Sequence, residues 1–351
     1  MRVKGLLLAC VALVIGLVAC GTEPNSNARF HTDEAASDLG LSDAQAATLA
    51  SLEQVDDYPL YTMHHYAPEG LVAHPSEPGL ALASIAGPDE EPWGCSLFAA
   101  LADPGSSVFG RNFDWEFSPA LLLFNHPPDG YGSASMVDVS YVGFPGDNSA
   151  DLTRKPISAL LGLLDASSIP FDGMNEAGLV IGMAAVPEAS TLVDPSRDTV
   201  DSLGIIRLAL DGAATVREAI ELMRTYNVDF EGQTPLHYLL ADAAGDAALV
   251  EYHAGEVRVL RTQTEWAHAT NFLMSAVESP AGQCERYDAI AKKLASSEGD
   301  LDIDGALGLL GQVAQPHTQW SVVYGMASGE IRVVMGQAYE RAYASSLDMQ
   351  G

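Results

Sequence analysis

Apolar and polar positions change their rhythm several times along this chain, and each change marks an element. Residues 5–18 form an apolar run behind Arg2 and Lys4, as in a secretory leader. Residues 20–54 are rich in Ala, Ser, Asp, Asn and Glu, the composition of a flexible tether, with one short helix expected near 42–52. From Val55 the pattern alternates through Tyr58, Leu60, Tyr61, Met63 and Tyr66, which predicts a strand. Gly87-Pro-Asp-Glu-Glu-Pro92 then breaks the pattern just ahead of Trp93-Gly94-Cys95, and an exposed stretch of that kind is easily cleaved.

Beyond Cys95 the rhythm reads strands, then helices, then strands. Residues 95–102 and 107–116 are two strand-like runs joined by Asp103-Pro104-Gly105, and 136–144 alternates again. A helix is expected over 157–164, and 171–186 reads as a hairpin turned at Asn175-Glu-Ala-Gly178. Asn175 in such a turn satisfies its own backbone and is read as structural. Helical spacing recurs over 202–210, 215–226, 285–295 and 304–313. Strands are expected over 236–243, 247–254 and 256–262, and the closing hairpin over 319–326 and 330–336. Two groups of strands with helices between them predict an α+β layered sandwich. The segments 117–131 and 187–201 read as loops that would set substrate choice.

Composition narrows the function classes. Against 17 Lys+Arg the chain carries 47 Asp+Glu, a formal net charge of -30. Such a surface repels phosphate backbones and anionic lipid, so no nucleic-acid partner and no polybasic membrane docking are expected. Leu17-Val18-Ala19-Cys20 resembles the lipobox of bacterial lipoproteins. That resemblance implies removal of residues 1–19, export, and a lipid on Cys20 as the chain's one contact with the membrane of the cell envelope. Cys10 falls in the leader, which leaves Cys95 and Cys284 as the thiols of the processed chain. In an oxidising compartment those two could pair, giving a catalytically silent binding lipoprotein.

No G-x-S-x-G, H-E-x-x-H or phosphate-loop motif is present, and the scattered His237, His253 and His268 read as packing residues rather than metal ligands. No cofactor or metal is implied. One constellation stands out: Gly94-Cys95 opens a strand, and Arg111 and Asp114 lie on the strand that returns beside it. A thiol attacks well once a base takes its proton and a cation stabilises the thiolate, and a carboxylate can orient an ammonium base. Arg111 and Asp114 differ in parity, so a bulge or twist is expected if both are to meet around Cys95.

The run "GCSLFAA…FGRNFDW" resembles the opening of the choloylglycine hydrolase, penicillin V acylase and isopenicillin N acyltransferase superfamily. The likeness continues through "DGMNEAGL", "HYLLADAAGDAALVEY", "ATNFLM", "CERYDAI" and "TQWSVVY", in the family's order. It implies an N-terminal-nucleophile (Ntn) hydrolase with a four-layer αββα sandwich over residues 95–351, and a propeptide or small subunit over 55–94. It implies self-cleavage between Gly94 and Cys95, with Cys95 as nucleophile and its freed α-amine as base; the lipid then stays on the fragment, which either remains docked or releases the enzyme. Arg111 matches the arginine near the sulfur and Asp114 the aspartate that orients the amine. Asn271 matches the asparagine that donates to the oxyanion, and Arg286 the second arginine of the site. An asparagine that bile-salt hydrolases carry after the Asn-Glu-x-Gly-Leu turn is absent; Ala184 or Ala185 stands there, so a second donor would be a backbone N–H or missing. The long segment ahead of Cys95 is closer to the isopenicillin N acyltransferase group. The expected reaction is hydrolysis of the linear amide of a small N-acyl substrate through a Cys95 thioester. N-acyl amino acids, acyl homoserine lactones and penicillin-like amides are the candidate substrates, and acyl transfer to another amine is the alternative.

Overall fold

The computed structural model describes residues 37–66, 94–146, 151–230 and 234–350. The expected leader, Cys20 and the 87–92 stretch lie outside them. Two sheets make up the centre. The first has nine strands, hydrogen-bonded in the order β1 (Glu53–Asp56), β2 (Leu60–Tyr66), β5 (Ala120–His126), β6 (Ser133–Asp138), β7 (Asp172–Asn175), β8 (Val180–Ala185), β11 (Leu236–Ala241), β12 (Ala247–His253) and β13 (Glu256–Arg261). The second has six, in the order β14 (Trp266–Ala269), β3 (Gly94–Ala100), β4 (Val108–Asp114), β15 (Thr318–Gly325), β16 (Glu330–Met335) and β17 (Tyr343–Ser346). A short parallel pair, β9 (Thr199–Asp201) and β10 (Asn227–Asp229), stands apart from both.

Helices cover the outer face of each sheet. Helices α2 (Gly204–Gly212) and α3 (Val216–Met223) lie on the nine-stranded sheet, with α1 (Asp43–Ala50) and short 3-10 turns over its β2–β5 end. Helices α4 (Glu285–Ser296) and α5 (Ile303–Val313) lie on the six-stranded one, where Ile290, Leu294, Leu309 and Leu310 pack on Phe98 and Val323. The layers are therefore α, β, β, α, as the family resemblance implies. The core between the sheets includes Leu97, Phe109, Leu122 and Trp320, each with no more than a trace of exposed surface.

Local sequence accounts for most boundaries. Ser42 and Gln45 form a reciprocal capping box that starts α1. Asn175 does more than its expected turn work. Its Oδ1 accepts from the backbone of Ala177 and Leu179, and its Nδ2 donates to the carbonyls of Leu210 and Ala213 at the end of α2. The hairpin and the helix are thereby tied together.

Three expectations change. The helix expected over 157–164 is two 3-10 pieces, Ile157–Ala159 and Leu161–Ser168, and it passes so close to the 139–142 turn that a Cβ on Gly162 would lie 2.3 Å from the Val142 carbonyl oxygen. The 136–144 run ends as a strand at Asp138, whose carboxylate accepts from the Ser140 N–H at 2.9 Å and starts a 3-10 turn. Residues 117–131 hold β5 rather than a substrate loop. Leu121 and Leu123 point at α1 and the 3-10 turns while Leu122 enters the inter-sheet core. A strand covered on both faces needs no alternation, which hides it from a period-two search. Replacing Leu122 by Ala should therefore cost about 2–5 kcal/mol in urea unfolding, as for a buried core leucine. A loss below about 0.5 kcal/mol is the surface-loop result.

Candidate active site

Cys95 is the second residue of β3 and is only 2% exposed. The β3–β4 register pairs Gly94 with Asp114, Cys95 with Phe113 and Leu97 with Arg111. Side chains alternate along a strand, so Cys95 and Arg111 share the face toward the nine-stranded sheet, and Asp114 faces α4. The expected bulge in β4 is not what resolves their parity. Arg111 and Asp114 stay on opposite faces and address different atoms of the Cys95 region. Arg111 Nη2 lies 3.8 Å from Cys95 Sγ. The Asp114 carboxylate lies beside Gly94, where an added Cβ would sit 3.1 Å from Oδ2.

Arg111 is wholly buried yet charged, because its neighbours are arranged for a cation. Nη1 pairs with Asp172 Oδ2 across the two sheets, Nε donates to the Met183 carbonyl at 3.1 Å, and Tyr324 Oη donates to Asp172 Oδ1 at 2.6 Å. Burial alone would lower the guanidinium pKa; Asp172 and the sulfur outweigh it, and the net direction is up. Burial also pushes the Cys95 thiol up, although Arg111, Arg286 and the Asp114 backbone N–H pull it down. In the uncleaved chain the thiol is thus a proton carrier, and a base is needed to turn it into a nucleophile.

Three side chains converge on the backbone around Cys95. Asn271, which follows β14, accepts the Cys95 N–H on Oδ1 at 2.6 Å, and its Nδ2 donates to the Ala185 carbonyl at 2.9 Å. Arg286, in the first turn of α4, donates from Nη1 to the Cys95 carbonyl and to Ser96 Oγ, and from Nη2 to Asn271 Oδ1 at 3.0 Å. It is therefore a site residue and not a helix-start surface pair. Asp114 takes the Thr318 hydroxyl on Oδ1 at 2.5 Å, while its buried Oδ2 has no hydrogen-bond partner among the described residues and lies 4.0 Å from Arg286 Nη1. Burial raises this carboxyl to about 6 against the opposing pull of Thr318, Arg286 and Arg111.

The end of β7 opens room for these contacts. β7 starts at Asp172, opposite Gly182, so Met183 and Ala185 on the longer β8 have no strand on that side. Val186 N–H bonds to Pro235, which makes Ala185–Leu236 a pair that exchanges no hydrogen bonds and turns the Ala185 N–H and C=O away from β11. Arg111 takes the Met183 carbonyl and Asn271 the Ala185 carbonyl in place of a sheet neighbour. Beside Cys95 a narrow cleft is walled by Phe113, Trp115, Tyr141, Phe171, Met183 and Leu236.

The structure brings the expected Cys95, Arg111, Asp114, Asn271 and Arg286 together, and it adds supports that the sequence does not single out. Asp172, Thr318 and Tyr324 lie inside segments quoted for the resemblance but carry no charge pattern of their own. Glu251 is another: it is fully buried, accepts the Met274 and Ser275 N–H groups at 2.7 and 2.8 Å, and so fixes the turn that follows Asn271. Cys95 and Cys284 are both free, which corrects the disulfide alternative; Cys284 is the residue before α4. His237 pairs with Glu251, His253 with Ser275, and the His268 ring packs at a tilt against Tyr287.

A family model described as linear amide C–N hydrolases, choloylglycine hydrolase family, matches residues 95–275. Among solved structures, a variant of the conjugated bile acid hydrolase from Clostridium perfringens aligns with a TM-score of 0.53 at 15% identity, covering 73% of this chain and 93% of that one. A second variant of the same enzyme gives 0.51 at 13% identity over 72% and 92%. Penicillin V acylase from Agrobacterium tumefaciens gives 0.44 at 15% identity over 72% and 91%. At these identities the first two bear on fold alone, and they agree with the αββα layers.

Exchanging Asp172 for Asn would leave the Arg111 guanidinium buried without its counter-ion. The expected loss is about 3–5 kcal/mol of unfolding free energy in urea. A variant as stable as the parent would mean that the pair is not a working ion pair.

Proposed function

The chain belongs to the choloylglycine hydrolase family, the linear amide C–N hydrolases, and on that footing we propose that Cys95 is its nucleophile. It is a hydrolase of carbon–nitrogen bonds other than peptide bonds. The observation that carries the proposal is the convergence of Arg111 on the sulfur of Cys95, Asn271 on its nitrogen and Arg286 on its carbonyl oxygen.

The first event is self-processing. Cys95 Sγ attacks the Gly94 carbonyl carbon and the C–N bond breaks, leaving that acyl group on sulfur and the proton on the new amine. Water then cleaves the thioester and frees Cys95 with an α-amine. Glycine at 94 suits this step, since any Cβ there would press on Asp114 Oδ2 and on Arg286 Nη2, 3.3 Å away. The unpartnered Asp114 Oδ2 is the acceptor that holds the new ammonium group.

Turnover uses the same atoms. The amine takes the thiol proton, Sγ attacks the substrate carbonyl carbon, and the proton passes to the departing amine. Arg111 stabilises the thiolate. Asn271 Nδ2 and the Ala185 N–H, which faces away from β11, are the donors toward the oxyanion, each worth about 3–4 kcal/mol of barrier in such a role. Ala185 thereby stands in for the asparagine found in bile-salt hydrolases. Water resolves the thioester. The aromatic and aliphatic cleft favours an apolar acyl group, as in N-acyl amino acids, acyl homoserine lactones and penicillin-like amides. By the same reading, on the leader sequence alone, the enzyme is exported and held at the cell envelope by a lipid on Cys20 for as long as the fragment ending at Gly94 stays bound, and is released otherwise.

Intact mass separates this reading from its rivals. The wild type should split before Cys95 and Cys95→Ala should stay whole; an uncut wild type excludes self-processing. The processed enzyme should hydrolyse at least one of N-decanoyl-homoserine lactone, N-decanoyl-phenylalanine and phenoxymethylpenicillin. Because the ionised form of Asp114 is the one that holds the ammonium, kcat/KM should fall as pH drops through about 6. Asp114→Asn should abolish that limb and lower kcat/KM at least about a hundredfold.

A further inference from the structure

Among the described residues ahead of Gly94, Tyr58 reaches toward the site by a side-chain hydrogen bond. Tyr58 lies in the turn between β1 and β2 and reaches over to β15, where its hydroxyl donates to Gln319 Oε1 at 2.9 Å. Gln319 is the extra residue in β15: the register pairs Thr318 with Asp114 and Trp320 with Phe113, and it slips between them. That slip lets the Thr318 hydroxyl meet the Asp114 carboxylate while Trp320 keeps to the core beside Phe113.

Gln319 is 4% exposed, and its amide is fully engaged. Nε2 donates to the carbonyls of Trp115 at 2.7 Å and His317 at 2.9 Å, which leaves Tyr58 as the donor to Oε1. The Tyr58 ring is fixed as well. It packs edge-on against Phe117 at 5.2 Å and lies over Gly336, where an added Cβ would come within 2.6 Å of the ring. Gly336 has φ +52 and donates its N–H to the Gln319 carbonyl at 2.9 Å, so the ring, the glycine and the bulge form one unit.

We infer that Tyr58 is a positioning residue of the active site: it holds the Gln319 bulge, and through it Thr318 against Asp114 and Trp115 in the cleft wall. The segment carrying Tyr58 is then a working part of the enzyme after the bond before Cys95 is cut. This rests on the reading that Asp114 orients the Cys95 amine. Its structural basis is independent of the β2–β5 pairing, which only keeps the segment in the sheet.

The direction of the effect follows from the contacts. Thr318 lowers the Asp114 pKa by bonding to its carboxylate, so a loosened bulge weakens that bond and raises it. The test is the pH profile of kcat/KM for processed Tyr58→Phe, Thr318→Val and Asp114→Asn enzymes. The substrate is N-decanoyl-homoserine lactone or phenoxymethylpenicillin, whichever the wild type cleaves faster. Tyr58→Phe keeps the ring packing and removes only the hydroxyl. Its acid limb should move up by about half a pH unit, with kcat/KM near neutrality reduced about fivefold. Thr318→Val should move the limb further in the same direction.

A Tyr58→Phe profile that overlays the wild type, with Thr318→Val shifted, overturns the role of Tyr58 and leaves the Asp114 reading standing. Unshifted profiles for all three variants, Asp114→Asn included, overturn that reading and the inference with it. Native size-exclusion gives a second measure. The fragment ending at Gly94 should co-elute with the rest of the processed enzyme, and full activity in a peak lacking the fragment would contradict the inference.

Discussion

The Arg111–Asp172 pair is the constraint on which the site depends. It joins β4 of one sheet to β7 of the other in the space between them, and both side chains are fully buried. A charge in that position is tolerated only with a counter-ion and saturated hydrogen bonding. Asp172, Tyr324, the Met183 carbonyl and the Phe113 ring, 5.0 Å beneath the guanidinium carbon, supply both. What remains of the guanidinium is one edge, Nη2, and it is aimed at Cys95 and Met183 sulfur. Fold stability and the electrostatics of the proposed nucleophile thus reside in the same ion pair.

The two faces of β4 divide the work. The inner face carries Arg111 toward sulfur, and the outer face carries Asp114 toward the backbone at Gly94, which Arg286 approaches from α4. A single strand can serve both because Cys95 lies near the start of β3, where its side chain and its main chain are reachable from opposite sides. The late start of β7 completes the arrangement by leaving two β8 carbonyls for Arg111 and Asn271. In a longer β7 those carbonyls would be taken by the ladder, and neither side chain would have its second anchor.

Much of this was legible in the chain. Gly94-Cys95 at a strand start, Arg111 and Asp114 on the returning strand, and the ordered segments of the family likeness led to the layers and to the five residues Cys95, Arg111, Asp114, Asn271 and Arg286 that the structure brings together. The rest was hidden for physical reasons. β5 carries no alternation because both its faces are covered, so "ALLLFNH" looked like a loop wall. The 157–164 stretch has helical spacing but winds as 3-10 turns, with room only for glycine at 162. Asp172, Thr318 and Glu251 are single polar residues in apolar runs, and only the register across sheets reveals what they hold. The parity of Arg111 and Asp114 was read correctly, but its resolution was not: they need not meet, and the slip in register sits on β15 at Gln319.

The central claim is that Cys95 sulfur carries the acyl group. Rapid acid quench of the processed enzyme during turnover of the N-acyl substrate it cleaves fastest, followed by peptide mass analysis, addresses it directly. The acyl mass is expected on the peptide that begins at Cys95, removable by neutral hydroxylamine as a thioester is. Product formation with the acyl mass on another residue, or a fully active Cys95→Ala enzyme, would contradict it.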